Sequence, residues 1–243
     1  MVFSGKHILR MMAARLRQRR FAHIIPIGLN CEVAFRLYRR WKGLDSSLFS
    51  WGHVRSLDTL TAALRRWDDI FRDDCSLNER ILLWECERTG IRLHGKMKLR
   101  PGEPLPDAQT IAADKADLLG RVKHLKEKFI RQISDGEPTL FVHRIKKEDC
   151  ASPDLGEKLD ALQQALRDLG ANNAELLVVT EREDAGKVPP APRRIVRSVA
   201  RFNPGAQVTV PELGDTPGWN AIFTEFAPLT VSRKKHDFKF EAE

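Results

Sequence analysis

Cys31 is the residue whose position most invites chemistry. A β-rich run, His23 to Ile27, ends in Gly28-Leu29-Asn30, and Cys31 opens the helical stretch that follows. At a helix start, unpaired backbone N–H groups and the helix dipole favour a thiolate. The same groups can hold an oxyanion or a phosphate. A small buried cysteine filling a strand–helix junction fits the position equally well. A nucleophilic thiol needs a base, and the body of the chain offers His23, His53, His94 and His143. His143 closes an apolar run that predicts a buried strand, which puts it at a strand end. His94 lies in Gly90-Ile91-Arg92-Leu93-His94-Gly95. Acids able to orient a histidine (Glu32, Asp149, Glu181, Asp184, Asp215) are too many to choose among.

The common fingerprints are missing. The chain has no GxGxxG, no GxxxxGK[ST], no HExxH and no GxSxG, which argues against dinucleotide, P-loop, zincin and serine-elbow chemistry. Its four cysteines, 31, 75, 86 and 150, are 44, 11 and 64 residues apart. That spacing contains no CxxC pair and no zinc knuckle, so free thiols are expected, with no metal and no cofactor.

Alternating elements must position these residues. Helical spacing runs through 31–40, through Leu57, Leu60, Leu64, Trp67 and Phe71, through Leu118, Val122, Leu125, Phe129 and Ile133, and through Leu155, Leu159, Leu162, Leu166 and Leu169. Further helices are predicted at 194–202 and 219–226. Strands are predicted at 23–27, 81–86, 139–143, 175–180 and 207–210, with 90–99 extended. Pro26 argues for an edge position or a bend. Apolar, non-alternating strands between helices predict an α/β fold, a single domain with a mostly parallel sheet and helices on both faces. Ligands then gather at the carboxyl ends of the strands: Asn30 and Cys31, His143 and Arg144, Thr180 to Asp184, and Pro211 to Asp215.

The 243 residues are 42% apolar and 30% charged, with a mean hydropathy of −0.38. These values exclude collagen-like, mucin-like and disordered classes, and no run reaches the ~18 apolar residues of a membrane helix. The net charge of +8 is mostly a property of one end. Six of the 41 basic residues fall within 1–22, which hold no acid, leaving 35 basic against 33 acidic elsewhere. A near-neutral body argues against nucleic acid as a partner. The expected organisation is a basic leader helix, 1–22, followed by an α/β domain, 23–243. Ile8, Met12 and Leu16 give the leader a short apolar face suited to weak contact with an anionic membrane. Without a secretory h-region, a cytoplasmic protein is expected, with any peripheral contact at the inner face of the membrane.

Ile27-Gly28-Leu29-Asn30-Cys31-Glu32, followed by Ser46-Ser47-Leu48-Phe49-Ser50-Trp51, resembles a bacterial family of unknown function labelled papain-like cysteine peptidase. Its members carry Ser-Leu-Gly-x-x-Cys, then Ser-x-Pro-Phe-Asp-Trp, a Gly-Ile-x-Phe-x-His-Asp-Phe stretch and a Leu-Phe-Val-Arg strand. Gly90 to His94 and Leu140 to Val142 match the later pieces. Leu48 stands for the proline, Ser50 for the aspartate, Gly95-Lys96 for Asp-Phe, and His143 for the arginine. The resemblance implies Cys31 as nucleophile and His94 as base, with His143 a second candidate, and Gly28, Asn30, Ser50 and Trp51 as ligand-binding residues. Asn30-Cys31-Glu32 also resembles the Gly-Asn-Cys-Gln loop of coenzyme-A-binding proteins of capsule biosynthesis. The expected function is a cysteine-nucleophile hydrolase acting on an acyl or amide bond of a small-molecule, peptide or acyl-ester substrate. The alternative is an acyltransferase or a coenzyme- or nucleotide-binding protein of bacterial surface-polysaccharide biosynthesis, with Cys31 in the ligand loop.

Overall fold

The computed structural model describes residues 19–41, 44, 46–72, 74–97, 104–203 and 214–229. Its central feature is a four-stranded parallel sheet in the order β2-β7-β8-β9, formed by His23–Pro26, Thr139–Arg144, Ala174–Glu181 and Arg194–Val199. The chain is therefore α/β with parallel pairing. Pro26 sits on β2, at the edge of this sheet, where its missing N–H costs no ladder bond.

Because strand side chains alternate, each strand feeds two clusters. Ile25, Phe141, Leu176 and Val178 pack with Leu60 and Leu64 of α2 (Leu57–Arg65), Leu118 and Phe129 of α3 (Ala108–Ser134), and Leu159 and Leu162 of α5 (Leu155–Asp168). Ile24, Leu140, Val142, Leu177 and Val179 pack instead with Val33 and Leu37 of α1 (Glu32–Arg40) and Trp219 and Phe223 of α6 (Thr216–Glu225). Double burial explains the apolar, non-alternating strand sequences. The short α4 (Lys147–Cys150) links β7 to α5.

Three features depart from the sequence expectation. Residues 194–202, expected as a helix, form strand β9 as far as Val199. Its β-branched Ile195, Val196 and Val199 suit a strand, and pairing from Leu176↔Arg194 to Glu181↔Val199 satisfies its backbone. The apolar spacing 195, 196, 199, 202 had mimicked a helical face. Arg194 is buried at the strand's start, where Gln163 and Asp160 of α5 accept its guanidinium. Second, a four-stranded antiparallel sheet in the order β3-β6-β5-β4 joins Gly52–His53, Arg92–Leu93, Leu83–Cys86 and Cys75–Asn78. Only β5 and an extended 90–99 were foreseen. Third, the helix expected through Phe71 stops at Arg65, passes into a 3-10 turn at Trp67–Asp69, and reaches Phe71 at φ +49°.

The leader helix expected over 1–22 does not include its last residues. Arg19–Phe21 form strand β1, parallel to β10 (Phe226–Pro228). Residues 1–18, with the apolar face proposed for membrane contact, lie outside the described residues, as does the strand expected at 207–210. No helix among the described residues is long and apolar enough to cross a membrane.

Gly28 turns the chain out of β2 at φ +83°, and a Cβ there would lie 3.0 Å from the His143 ring and from Leu60 Cδ2. Strain and crowding act together, so Gly28→Ala should destabilise the fold by about 1–3 kcal/mol. Urea unfolding of the two proteins measures this; equal midpoints would contradict it.

Candidate functional site

Gly28 and Leu29, both at positive φ, swing the chain from β2 into α1. Asn30 Oδ1 accepts the Glu32 backbone N–H (3.1 Å), and Cys31 is the residue that caps α1. Leu29 O accepts the Val54 N–H (2.9 Å), tying this loop to the residue after β3.

Glu32 has no exposed surface. Its carboxylate lies 3.0 Å from Arg144 Nη1 and 3.5 Å from Arg36 Nη2, and it accepts the Asn203 N–H (3.1 Å). Burial pushes its pKa up, while the two guanidinium groups oppose that rise. Arg36 also donates to Thr216 Oγ1 (2.6 Å) and to Asn203 Oδ1. Arg144, at the carboxyl end of β7, stacks over the Phe202 ring with 4.2 Å between guanidinium carbon and ring centre.

A cavity of about 290 Å³ opens beside this network. Asn30, His53, Arg144, Lys146 and Lys147 line it, and Glu148, Glu181 and Asp184 supply acidic wall. Lys146 donates to Arg55 O, Glu181 accepts the Phe202 N–H (2.9 Å), and Asp184 pairs with Lys187 (2.6 Å). His53 is half-buried with Nδ1 enclosed and without a hydrogen-bond partner. Burial, then Lys146, Arg92 and Arg55, push its pKa down to about 4. Oxygens of Glu181, Glu183 and Asp184 lie within 4.8 Å of one another and could hold a cation. Lys147 and Lys187 already neutralise two of these carboxylates.

Of the residues expected to act, Asn30 and Arg144 meet in the cavity; Cys31 and His94 do not line it. Cys31 is only 8% exposed, and burial pushes its thiol up to about 11 against a small opposing bond from its own N–H. The thiolate expected from the helix start is therefore not favoured. Among the described residues no hydrogen bond joins Cys31 to a histidine. His94 is exposed after β6, its carbonyl accepting from Arg121 (2.9 Å). His143 is 1% exposed, donates from Nδ1 to Ile27 O (2.9 Å), and keeps Nε2 buried without a partner. Ser50 and Trp51 are tied locally. Ser50 Oγ accepts the Ser47 N–H (2.8 Å), and the Trp51 indole donates to Ser46 Oγ (2.9 Å) and meets Phe35 edge-on. His53 and Lys146 are the residues the motifs did not single out. His53, one of the four histidines offered as a base, is two residues past Trp51 of the motif, and Lys146 is two past the predicted strand-end Arg144, so the motif came close to the first and the strand-end rule to the second.

Burial holds His143 at about 4 in the fold, against 6.5 for a free imidazole. Between those values the unfolded chain binds a proton that the folded one refuses. Stability conferred by the neutral ring is thus complete above pH 6.5 and is lost as pH falls toward 4, about 3 kcal/mol in all. Urea unfolding across that range should show this slope, and His143→Gln should lessen it, leaving the part that His53 contributes. An unchanged slope in the variant would assign the loss elsewhere. No family model, no curated protein and no solved structure matches this chain, so the reading of the site rests on its own residues.

Proposed function

We propose that the chain is a single α/β domain, its parallel sheet covered by helices on both faces, that binds a small polar anion at the carboxyl end of that sheet. Support for one domain comes from the shared core: Val54, Trp84, Cys86, Ile91 and Leu93 from the antiparallel sheet region belong to the same cluster as Phe141 and Val178. The observation that carries the ligand reading is Arg144, pinned by Glu32 behind and Phe202 beside it while facing the cavity. A guanidinium held this way suits a phosphate or carboxylate. Asn30 and the acids Glu148 and Glu181 suit hydroxyl or amino donors on the same ligand. A volume of about 290 Å³ is small for a ligand site, so a sugar-phosphate-sized molecule fits the reading better than a whole coenzyme.

Titration calorimetry with a hexose 6-phosphate, the free hexose and inorganic phosphate tests this. The phosphorylated sugar should bind tightest, and Lys146→Gln should weaken it about tenfold, the loss of one charge-assisted contact. An anion beside His53 offsets its three cations, so the affinity for sulfate, whose charge is fixed over the range, should rise as pH falls from 7 toward 5. Equal weak binding of all three probes would refute the reading.

A second reading, the thiol hydrolase or acyltransferase, is favoured by one observation: Cys31 stands at the first turn of α1. Iodoacetamide labelling at pH 8 separates the two. The ligand-binding reading expects Cys31 to label no faster than a free cysteine. Labelling far faster than Cys75, Cys86 and Cys150, with a rate pKa below ~8.5, would make Cys31 the nucleophile.

A further inference from the structure

Cys75 and Cys86 are paired directly across two antiparallel strands, β4 and β5. The neighbouring pair, Asp74 and Glu87, exchanges a ladder bond (Glu87 N to Asp74 O, 3.1 Å), and the Cys86 N–H turns the other way, to Ile91 O (2.8 Å). Narrow and wide pairs alternate along an antiparallel ladder. The two cysteines therefore form a non-hydrogen-bonded pair, the kind whose Cα atoms are ~4.5 Å apart and whose side chains approach most closely. That spacing falls inside the window a disulfide requires. Both thiols are buried and free, and β4 is the outer strand of its sheet, with nothing paired beyond it among the described residues. We propose that Cys75 and Cys86 are a redox pair that closes a cross-strand disulfide on exposure to a small-molecule disulfide such as oxidised glutathione.

The exchange balances in two steps. The Cys75 thiolate, having given up its proton, attacks oxidised glutathione, forms a mixed disulfide and expels one glutathione thiolate, which takes up a proton. The Cys86 thiolate then attacks the Cys75 sulfur, forming the intramolecular bond and expelling the second glutathione. Cys75 is the entry point because it lies on the edge strand and retains 4% exposure, against none for Cys86.

Closure would be felt beyond the two strands. Cys86 Sγ accepts the Phe71 N–H (3.2 Å), and its thiol donates to Asp69 O (3.5 Å). A disulfide removes that S–H donor and turns the sulfur toward Cys75, freeing Phe71, which is held at φ +49°. Phe71 and Trp67 wall an apolar groove of about 820 Å³ against Val122 and Ile130 of α3. Lys126 closes the same wall by donating to Asp68 O (3.2 Å) and Ile70 O (3.3 Å). Oxidation therefore reaches the environment of Trp67, which stacks on Phe129 with ring centres 4.8 Å apart.

The test incubates the full chain with oxidised glutathione at pH 8, alone and in urea below the unfolding midpoint so that β4 can fray. Remaining thiols are then alkylated, and non-reduced peptides are read by mass spectrometry. The expected result is loss of two hydrogens and one dominant Cys75–Cys86 linked peptide, with Cys31 and Cys150 recovered alkylated. The thermal midpoint should rise by several degrees, reversed by dithiothreitol, with a change in tryptophan fluorescence that Trp67→Phe abolishes. Cys75→Ser should lose the cross-link while the wild-type mass readout stands whether or not that variant folds. Linkage through Cys31 or Cys150, dimers joined between chains, or full alkylation of both cysteines in both conditions would overturn the proposal.

Discussion

A carboxylate with no exposed surface survives in a protein only when its charge is shared, and Glu32 is shared by Arg144 and Arg36. The arrangement joins parts of the chain far apart in sequence. Glu32 and Arg36 belong to α1, Arg144 to the end of β7, Asn203 to the segment after β9, and Thr216 to the first turn of α6. Packing admits no surplus atom, since a Cβ on Gly214 would fall 2.0 Å from Asn203 Oδ1 and 2.6 Å from Arg36 Nη2. Removing one partner from such a group costs on the order of 3–5 kcal/mol, because the remaining charge is stranded. The network is thus a poor source of net stability and a strong source of position. It fixes where Arg144 points, and through α1 it fixes the loop from Gly28 to Cys31.

The same burial works against a thiolate at Cys31. A helix N-terminus stabilises an adjacent anion by ~0.3–1 kcal/mol, up to ~2 in partly buried sites. Raising the thiol from 9.0 to about 11 corresponds to roughly 3 kcal/mol against the thiolate. Desolvation outweighs the dipole. A strand, a tight turn, a cysteine and a helix are therefore insufficient grounds for a nucleophile; what surrounds the sulfur determines its proton.

How far the sequence announced this structure depends on the range of the interactions involved. The parallel sheet was legible because burial on both faces leaves a local mark, as in Leu176-Leu177-Val178-Val179, and because Leu155 to Leu169 keeps strict helical spacing. Pro26 announced its edge by lacking a donor. The β9 segment misled because Ile195, Val196, Val199 and Phe202 satisfy a helical stripe, and the partner that makes them a strand, β8, lies some twenty residues earlier. The antiparallel sheet was nearly silent. Gly52–His53 and Arg92–Leu93 are two residues each, too short for any periodicity, and Cys75-Ser76-Leu77-Asn78 carries little β character of its own. Strand-end reasoning found Asn30, Arg144, Glu181 and Asp184, all of which line the cavity. Motif resemblance also pointed to Asn30, but its His94, Ser50 and Trp51 do not line the cavity, and neither do the strand-end residues Cys31 and His143.

His53 explains why the site resists reading from sequence. It enters the cavity from the antiparallel sheet, whereas Arg144 enters from the parallel one, and no spacing rule relates two such strands. Three contacts bring them together. Val54 N–H donates to Leu29 O, Lys146 donates to Arg55 O, and Ile145 N–H donates to Val179 O (3.0 Å), anchoring the chain just past β7 to β8. Two are backbone bonds, indifferent to most side-chain identities, and the third asks only for the Lys146 amine, so together they leave little signature in composition. The cavity is accordingly a product of topology. The parallel sheet supplies the fixed cation, and the small sheet supplies an imidazole kept neutral by burial and by the cations around it. On the proposed reading an incoming anion would relieve the charge repulsion while leaving the burial, so ligand and proton would favour each other at this site. That coupling follows from the meeting of the two sheets and from neither alone.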